Sequence, residues 1–177
     1  MKVRLGLDIG GTNVPGIAVE AGDARRLVAQ ATHTTRRGAD GVVRSALDMI
    51  AALTADLADA EVVSIGLGVP GIVQDGAVTH AVNLGLDHEP LDLAGTVSSL
   101  AVAPVIVDND VKTATLGALQ WMRDQGSDVD DVALLNVGTG LAAGMLLDGR
   151  LRRGSRGMAG EIGHLVHDPN GPLCPCG

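Results

Sequence analysis

Phenylalanine and tyrosine are absent from this 177-residue sequence, and Trp121 is its only aromatic residue. The core must therefore be assembled from Leu, Val, Ile, Ala and Met. Platforms on which successive bases stack are missing as well, which counts against single-stranded nucleic-acid binding. Positive charge is scarce. Thirteen Lys and Arg against 21 Asp and Glu give a formal net charge of −8, so no global field draws in a phosphate backbone. The one basic cluster, Arg150, Arg152, Arg153 and Arg156, is short and reads as solvated hairpin charge. No apolar run approaches the ~20 residues of a membrane helix. Met1-Lys2-Val3-Arg4 leads into a strand pattern with no apolar signal region. Cys174 and Cys176 are the only cysteines; one residue apart, they make a poor disulfide and a better chelate. Together these absences predict a cytoplasmic protein with neither a nucleic-acid nor a membrane partner.

What is present is a globular composition, 46% hydrophobic with 25 glycines, in a chain long enough to bury a sizeable core. Val3, Leu5, Leu7 and Ile9 alternate as in a strand. Gly10-Gly11 turns the chain, and Val14 to Val19 returns as a second strand. Pro15 cannot donate to a ladder, so it is expected at an edge or a bulge. Leu27 to Thr34 reads as a third strand. From Asp40 the period becomes helical, with Val43, Leu47, Ile50, Leu53 and Leu57 on one face. Val62 to Leu67 is a strand ending in Gly68-Val69-Pro70-Gly71. Ile72 to Val82 reads as a hairpin turned at Asp75-Gly76. A loop over Asn83 to Pro90 and a short helix to Leu100 follow.

Val105-Ile106-Val107 reads as a buried strand that runs into Asp108-Asn109-Asp110 and a helix carried by Val111, Ala114, Ala118, Leu119 and Met122. The acidic stretch Gly126 to Asp131 is the expected boundary, giving an N-terminal lobe over 1–125 and a second lobe from 126 to 177. Past it the opening pattern recurs: strand Val132 to Val137, turn Gly138-Thr139-Gly140, strand Leu141 to Leu147, and a hairpin at Asp148-Gly149. A pseudo-duplicated α/β protein with a cleft between its halves is the economical reading.

Four groups of residues can carry chemistry. In Asp8-Ile9-Gly10-Gly11-Thr12 the glycines admit a ligand close to the backbone, whose amides can point at phosphate oxygens. Asp8 can hold a hydrated Mg²⁺. The same residues also read as a type I′ hairpin turn with polar caps. Gly138-Thr139-Gly140 offers a second glycine turn of the same kind. Asp108-Asn109-Asp110 stands where a strand meets a helix. Asp108 or Asp110 serves there as an N-cap, or Asp110 as a base toward a substrate hydroxyl fixed by Asn109. Helix-start amides favour its ionised form. Glu161 and His164, three residues apart, either brace a short helix or divide between sugar hydroxyls and a metal. With Cys174 and Cys176, His164 makes a thiolate–imidazole set suited to zinc, although structural zinc usually takes four ligands.

These pieces, in this order, resemble the ROK family (repressor, open reading frame, kinase) of sugar kinases and sugar-responsive regulators. The resemblance runs from Val3 to Gly177, and Gly160-Glu161-Ile162-Gly163-His164 with Asp168-Pro169, Gly171 and Cys174-x-Cys176-Gly177 carries most of it. It implies an actin-like, ribonuclease-H-like ATPase fold, here the first lobe and the start of the second. It implies phosphorylation of a hexose, with Asp110 as the catalytic base and ATP as the donor. Asn109, Glu161 and His164 would hold sugar hydroxyls, with Gly71 and the Asn83 loop at the pocket rim. Asp8, Gly10, Gly11, Thr12, Gly138, Thr139 and Gly140 would border the ATP phosphates and Mg²⁺. His164, Cys174 and Cys176 would bind a structural zinc.

Lys112 stands where many members carry asparagine, and Asn13 where lysine often follows the threonine. Members continue past Cys-x-Cys-Gly with a third cysteine and a sugar-binding glutamate, so the resemblance implies an N-terminal portion and an incomplete zinc site. They commonly form homodimers. A sugar-responsive regulator and an inactive sugar-binding remnant are the competing expectations. Regulators of this family usually carry a helix-turn-helix ahead of the first strand, where only two residues stand here.

Overall fold

The computed structural model describes residues 1–57, 59–138 and 140–173. Thr139, Cys174 and Cys176 of the expected site lie outside the described residues. Two compact units divide the chain, Met1–Asp110 and Val111–Gly177.

Alternation decides the first unit. In β1 (Lys2–Asp8) Val3, Leu5 and Leu7 are buried and their neighbours face away, the period of two that a half-buried strand demands. β2 (Asn13–Glu20) and β3 (Asp23–Thr34) continue antiparallel from it. β3 starts four residues before the expected Leu27. β4 (Glu61–Val69) and β8 (Val105–Asn109) add parallel on the other side, giving the order β3-β2-β1-β4-β8. Between them come β5 (Ile72–Gln74), β6 (Ala77–Thr79) and β7 (Leu91–Asp92), a small antiparallel sheet. The β5–β6 turn is Asp75-Gly76, both with positive φ, as a tight hairpin of this kind requires.

Helix α1 (Ala39–Thr54) lies against this sheet and buries Val42, Ala46, Met49 and Leu53. The expected stripe of Val43, Leu47 and Ile50 is only half-buried and packs at the edge of the core. The difference has a steric cause at Gly16 of β2. A Cβ there would stand 2.7 Å from Met49 Cγ and Sδ and 3.1 Å from Leu53 Cδ1. Glycine lets the helix settle on the Met49–Leu53 side, where each buried side chain contributes roughly 1.5–3 kcal/mol. Helix α2 (Leu93–Ala101) is capped by Asp92, whose Oδ1 accepts the Gly95 amide at 2.9 Å, and it buries Leu93 and Val97.

Two other expectations are corrected. Pro15 lies in an inner strand rather than at an edge, and the β2–β3 register shifts fall at Ala18–Glu20. It is tolerated because the registered β1–β2 pairs end one residue earlier, at Leu7↔Gly16. β8 is the sheet's edge strand, and Ile106 is 71% exposed, so only Val107 of that trio is buried.

In the second unit, helix α3 (Asp110–Asp124) buries Val111, Lys112, Thr115 and Leu119, while Ala114, expected on the inner face, is exposed. β9 (Val132–Val137), β10 (Leu141–Leu147) and β11 (Arg150–Leu151) form an antiparallel sheet in the order β11-β10-β9. The β10–β11 turn is Asp148-Gly149, again with positive φ at both residues. Gly144 of β10 is the point of closest approach to α3, where any Cβ would overlap Thr115 Oγ1. Among the described residues no helix is long and apolar enough to cross a membrane.

Candidate active site

In the first unit the candidate residues gather at the C-terminal ends of the parallel strands, where ligands sit in open α/β sheets. Register fixes the row: Asp8 on β1 pairs with Gly68 on β4, Gly68 with Asp108 on β8, and Val69 with Asn109. Gly68 puts no side chain between the two acidic positions, and its carbonyl accepts the Ile9 amide at 2.8 Å. Asp108 is buried, and its Oδ1 accepts the Asn109 amide at 2.9 Å. Asn109 Nδ2 donates to the Gly71 carbonyl at 3.2 Å. Gly71 has φ +93°, and a Cβ on it would stand 2.6 Å from the Thr79 carbonyl oxygen. Only glycine fits where the end of β4 must turn beneath Asn109.

Asp110, the first residue of α3, faces Asp8 electrostatically. Burial among protein atoms, and then the Asp110 carboxylate, push the Asp8 carboxyl above its ordinary value, although its side chain still meets solvent. A carboxyl whose ionisation is opposed by burial and by a neighbouring carboxylate marks a place where a cation is electrostatically welcome.

The turn after β1 closes with Gly10 N donating to the Asn13 carbonyl at 3.0 Å. None of Gly10, Gly11 and Thr12 has positive φ, so the type I′ alternative at Gly10-Gly11 does not hold. The glycine at 11 answers crowding instead. A Cβ there would lie 3.0 Å from Asn83 Cβ, so the turn and the Asn83 loop touch. Asn83 belongs to a 3-10 turn over Val82–Leu84, in a loop pinned by the Ala81↔Leu86 bridge. His80 Nε2 and His88 Nδ1 meet across its neck at 3.1 Å.

Sequence reasoning missed the residues that brace this arrangement. Thr35 Oγ1 donates to the Gly10 carbonyl at 2.6 Å and its amide to the Thr12 carbonyl at 2.9 Å. Arg37 donates to the Val82 carbonyl at 2.9 Å. No local pattern marks Thr35 or Arg37, because each acts on a turn distant in sequence.

The second unit holds Gly138, Gly140, Glu161 and His164. Gly138 N donates to the Gly140 carbonyl at 2.9 Å, closing the turn between β9 and β10. Glu161 directly precedes the 3-10 turn Ile162–His164, and its carbonyl accepts the His164 amide at 3.2 Å. Its side chain does not cap that turn. This segment lies on the start of β10. Gly163 is close enough that a Cβ would overlap the Leu141 carbonyl, and Gly160 does the same at Ala143, whose amide donates to the Gly160 carbonyl at 2.7 Å. Glu161 and His164 are thereby held beside the residues that follow the Gly138–Gly140 turn. Among the described residues no group of three or more His, Cys, Asp or Glu side chains is placed to hold a metal. His164 is the one described member of the expected zinc set.

Comparison with known proteins identifies the family. The chain is 33% identical over 180 residues to N-acetylmannosamine kinase of Shigella boydii, covering 98% of this chain and 57% of that one. It superposes with TM-score 0.81 on the crystal structure of a ROK family glucokinase from Streptomyces griseus in complex with glucose and AMPPNP, at 33% identity, over 99% of this chain and 54% of that one. A ROK family transcriptional regulator, a homologue of the E. coli MLC protein, matches with TM-score 0.82 at 28% identity, over 99% of this chain and 44% of that one. The chain thus spans about half the length of the relatives it matches. Its α/β architecture is that of the ROK sugar-kinase structures, the actin-like ATPase fold, and the first unit is consistent with the first lobe of that fold. With the family profile matching residues 4–177, the chain belongs to the ROK family.

Proposed function

We propose that the chain serves ATP-dependent phosphorylation of a hexose, glucose or a related or N-acetylated sugar. The observation that carries this reading is the Asp8–Asp110 pair at the end of β1 and just past β8, with the neighbouring Asn109 Nδ2 donating to the Gly71 carbonyl. In this reading Asp110 accepts the proton of the attacking sugar hydroxyl. In phosphoryl transfer, positioning and charge stabilisation matter more than a strong base, so a carboxylate at a helix start suffices. Asn109 orients the sugar, with Gly71 and Asn83 at the rim. Glu161 and His164 are the second unit's contribution to the sugar hydroxyls.

Gly10, Gly11 and Thr12 in the first unit, and Gly138, Thr139 and Gly140 in the second, border the phosphates. Asp8 faces Mg²⁺, which would supply positive charge to the β- and γ-phosphates. His164, Cys174 and Cys176 fit zinc by donor chemistry. Their part is structural, holding the segment that bears Glu161. The partner is then a hexose, and a homodimer accompanies the kinase reading.

Hexose-dependent ADP release over glucose, mannose and N-acetylmannosamine, measured with this sequence completed to the length of its relatives, tests this, and residues 1–177 alone are expected to release little ADP. Asp110→Asn is expected to lower kcat by about 10²–10⁴, the range of general-base catalysis, while hexose binding persists. Turnover at the wild-type rate in that variant would place the base elsewhere. The likeness to a ROK regulator over 99% of this chain supports a second reading, a sugar-responsive regulator. In that case hexose binds and no ADP is released.

A further inference from the structure

Lys112 is among the largest fully buried side chains, at 2% exposure. A lysine this deep is rare unless its amino group finds acceptors. Its Nζ donates at 2.8 Å to the carbonyl of Gly157, itself buried. That carbonyl belongs to no helix or strand. It lies midway along the segment from Gly154 to Gly160, in which glycines 154, 157 and 160 have φ of +73°, +73° and +96°. Three left-handed glycines in seven residues give a backbone with little stiffness of its own. It keeps its shape through bonds to its surroundings: Ala159 N to the Arg153 carbonyl at 3.0 Å, Ala143 N to the Gly160 carbonyl at 2.7 Å, and Lys112 Nζ to Gly157. All three reach outside the segment, one to the residue just before it, one to a strand and one to a helix. Gly160 is followed at once by Glu161, so whatever fixes the segment fixes where that carboxylate is presented.

We propose that Lys112 is a positioning residue: by tying Gly157 to helix α3 it sets the place of Glu161 and His164, and with it how tightly the hexose is held. The second half of this statement rests on the hexose-kinase reading; the first does not. Lys112 is two residues past Asp110 on the same helix.

The experiment compares Lys112→Met, which keeps the stem and removes the donor, with Lys112→Arg, which keeps a donor. Amide hydrogen exchange is followed in the 177-residue chain. Peptides covering 154–163 are expected to exchange about tenfold faster in the Met variant, the scale of one lost buried hydrogen bond. Peptides of β1 to β4 should be unchanged, and Arg should recover much of the protection. Unaltered exchange over 154–163, or equal acceleration along the whole chain, overturns the assignment. If the Met variant does not fold, Lys112→Gln, polar but too short to reach the Gly157 carbonyl from the same backbone position, takes its place, and the same faster exchange over 154–163 is required of it. In steady-state assays of the sequence completed to the length of its relatives, the Met variant should raise the KM for hexose several-fold and leave the KM for ATP as it was, a split that general destabilisation does not produce. Equal rises in both overturn the positioning role. Absence of hexose-dependent turnover in the wild-type sequence completed to the length of its relatives would instead sink the kinase reading, with the exchange pattern in the 177-residue chain still deciding the role of Lys112.

Discussion

Replacing Gly71 by alanine tests the backbone on which the candidate site rests. At φ +93° an L side chain is strained, at roughly 1–2 kcal/mol. The added Cβ would meet the Thr79 carbonyl oxygen at 2.6 Å, the Ala81 amide nitrogen at 2.9 Å and Ala81 Cα at 3.0 Å. All three are backbone atoms, so no side-chain rotation relieves the contact. The β4–β5 connection must shift against β6, an overpacking penalty of about 1–3 kcal/mol. The sum is roughly 2–5 kcal/mol. With a urea m-value of about 2 kcal/mol/M for a domain of this size, the midpoint should fall by about 1–2.5 M.

Gly117, in α3, provides the opposite case, since a Cβ added there would meet nothing within 4 Å. Its replacement by alanine should raise stability by about 0.8–1 kcal/mol, the helix propensity difference. Urea unfolding followed by far-ultraviolet circular dichroism measures both. A Gly71→Ala midpoint within about 0.3 M of wild type, on the same m-value, would refute the steric reasoning. The substitution also moves the carbonyl that Asn109 Nδ2 grips at 3.2 Å. Hexose affinity should therefore suffer even under conditions where the variant is folded.

Asp8 offers a test by pH. Its carboxyl is raised in the folded chain, by burial first and by Asp110 second, so the folded state holds this proton to higher pH than the unfolded chain. The resulting contribution to stability is full below the unfolded carboxylate value and is lost as pH rises through the folded one. Carbon-detected NMR of the Asp8 carboxyl should give a midpoint above the ordinary carboxylate value that moves down in Asp110→Asn; a midpoint indifferent to that substitution refutes the pairing. For the metal, cobalt substitution should produce a thiolate-to-metal absorption band that disappears in the Cys174→Ser/Cys176→Ser double variant, and metal retained unchanged by that variant would remove the two cysteines from the proposed set.

Much of the fold was legible because its signals are local. A period of two in Val3, Leu5 and Leu7, and Asp-Gly dipeptides at 75–76 and 148–149, act through immediate neighbours, and each appears in the structure as the pattern requires. The face of α1 was not legible. Val43, Leu47 and Ile50 are as apolar as Met49 and Leu53, and what decides between them is the missing Cβ at Gly16, on another strand. Ile106 failed for a related reason: an apolar trio looks alike in a central strand and an edge strand, and only the sheet order distinguishes them.

The candidate site divides along the same line. Asp8, Asn109 and Asp110 stand at strand ends, and punctuation by glycine and by the strand–helix junction betrays such positions. Their mutual relation was hidden, because Asp8 and Asp110 are a hundred residues apart in sequence and meet only through the parallel register of β1, β4 and β8. Lys112 was hidden more deeply. A lysine on a helix is ordinarily read as solvent-facing, and this one turns inward, its Nζ donating to a buried carbonyl in a glycine-rich segment 45 residues away. The demand comes from Gly157, and no property of the helix sequence announces it. A lysine there is explained only when the backbone it serves is counted among the groups that burial must satisfy.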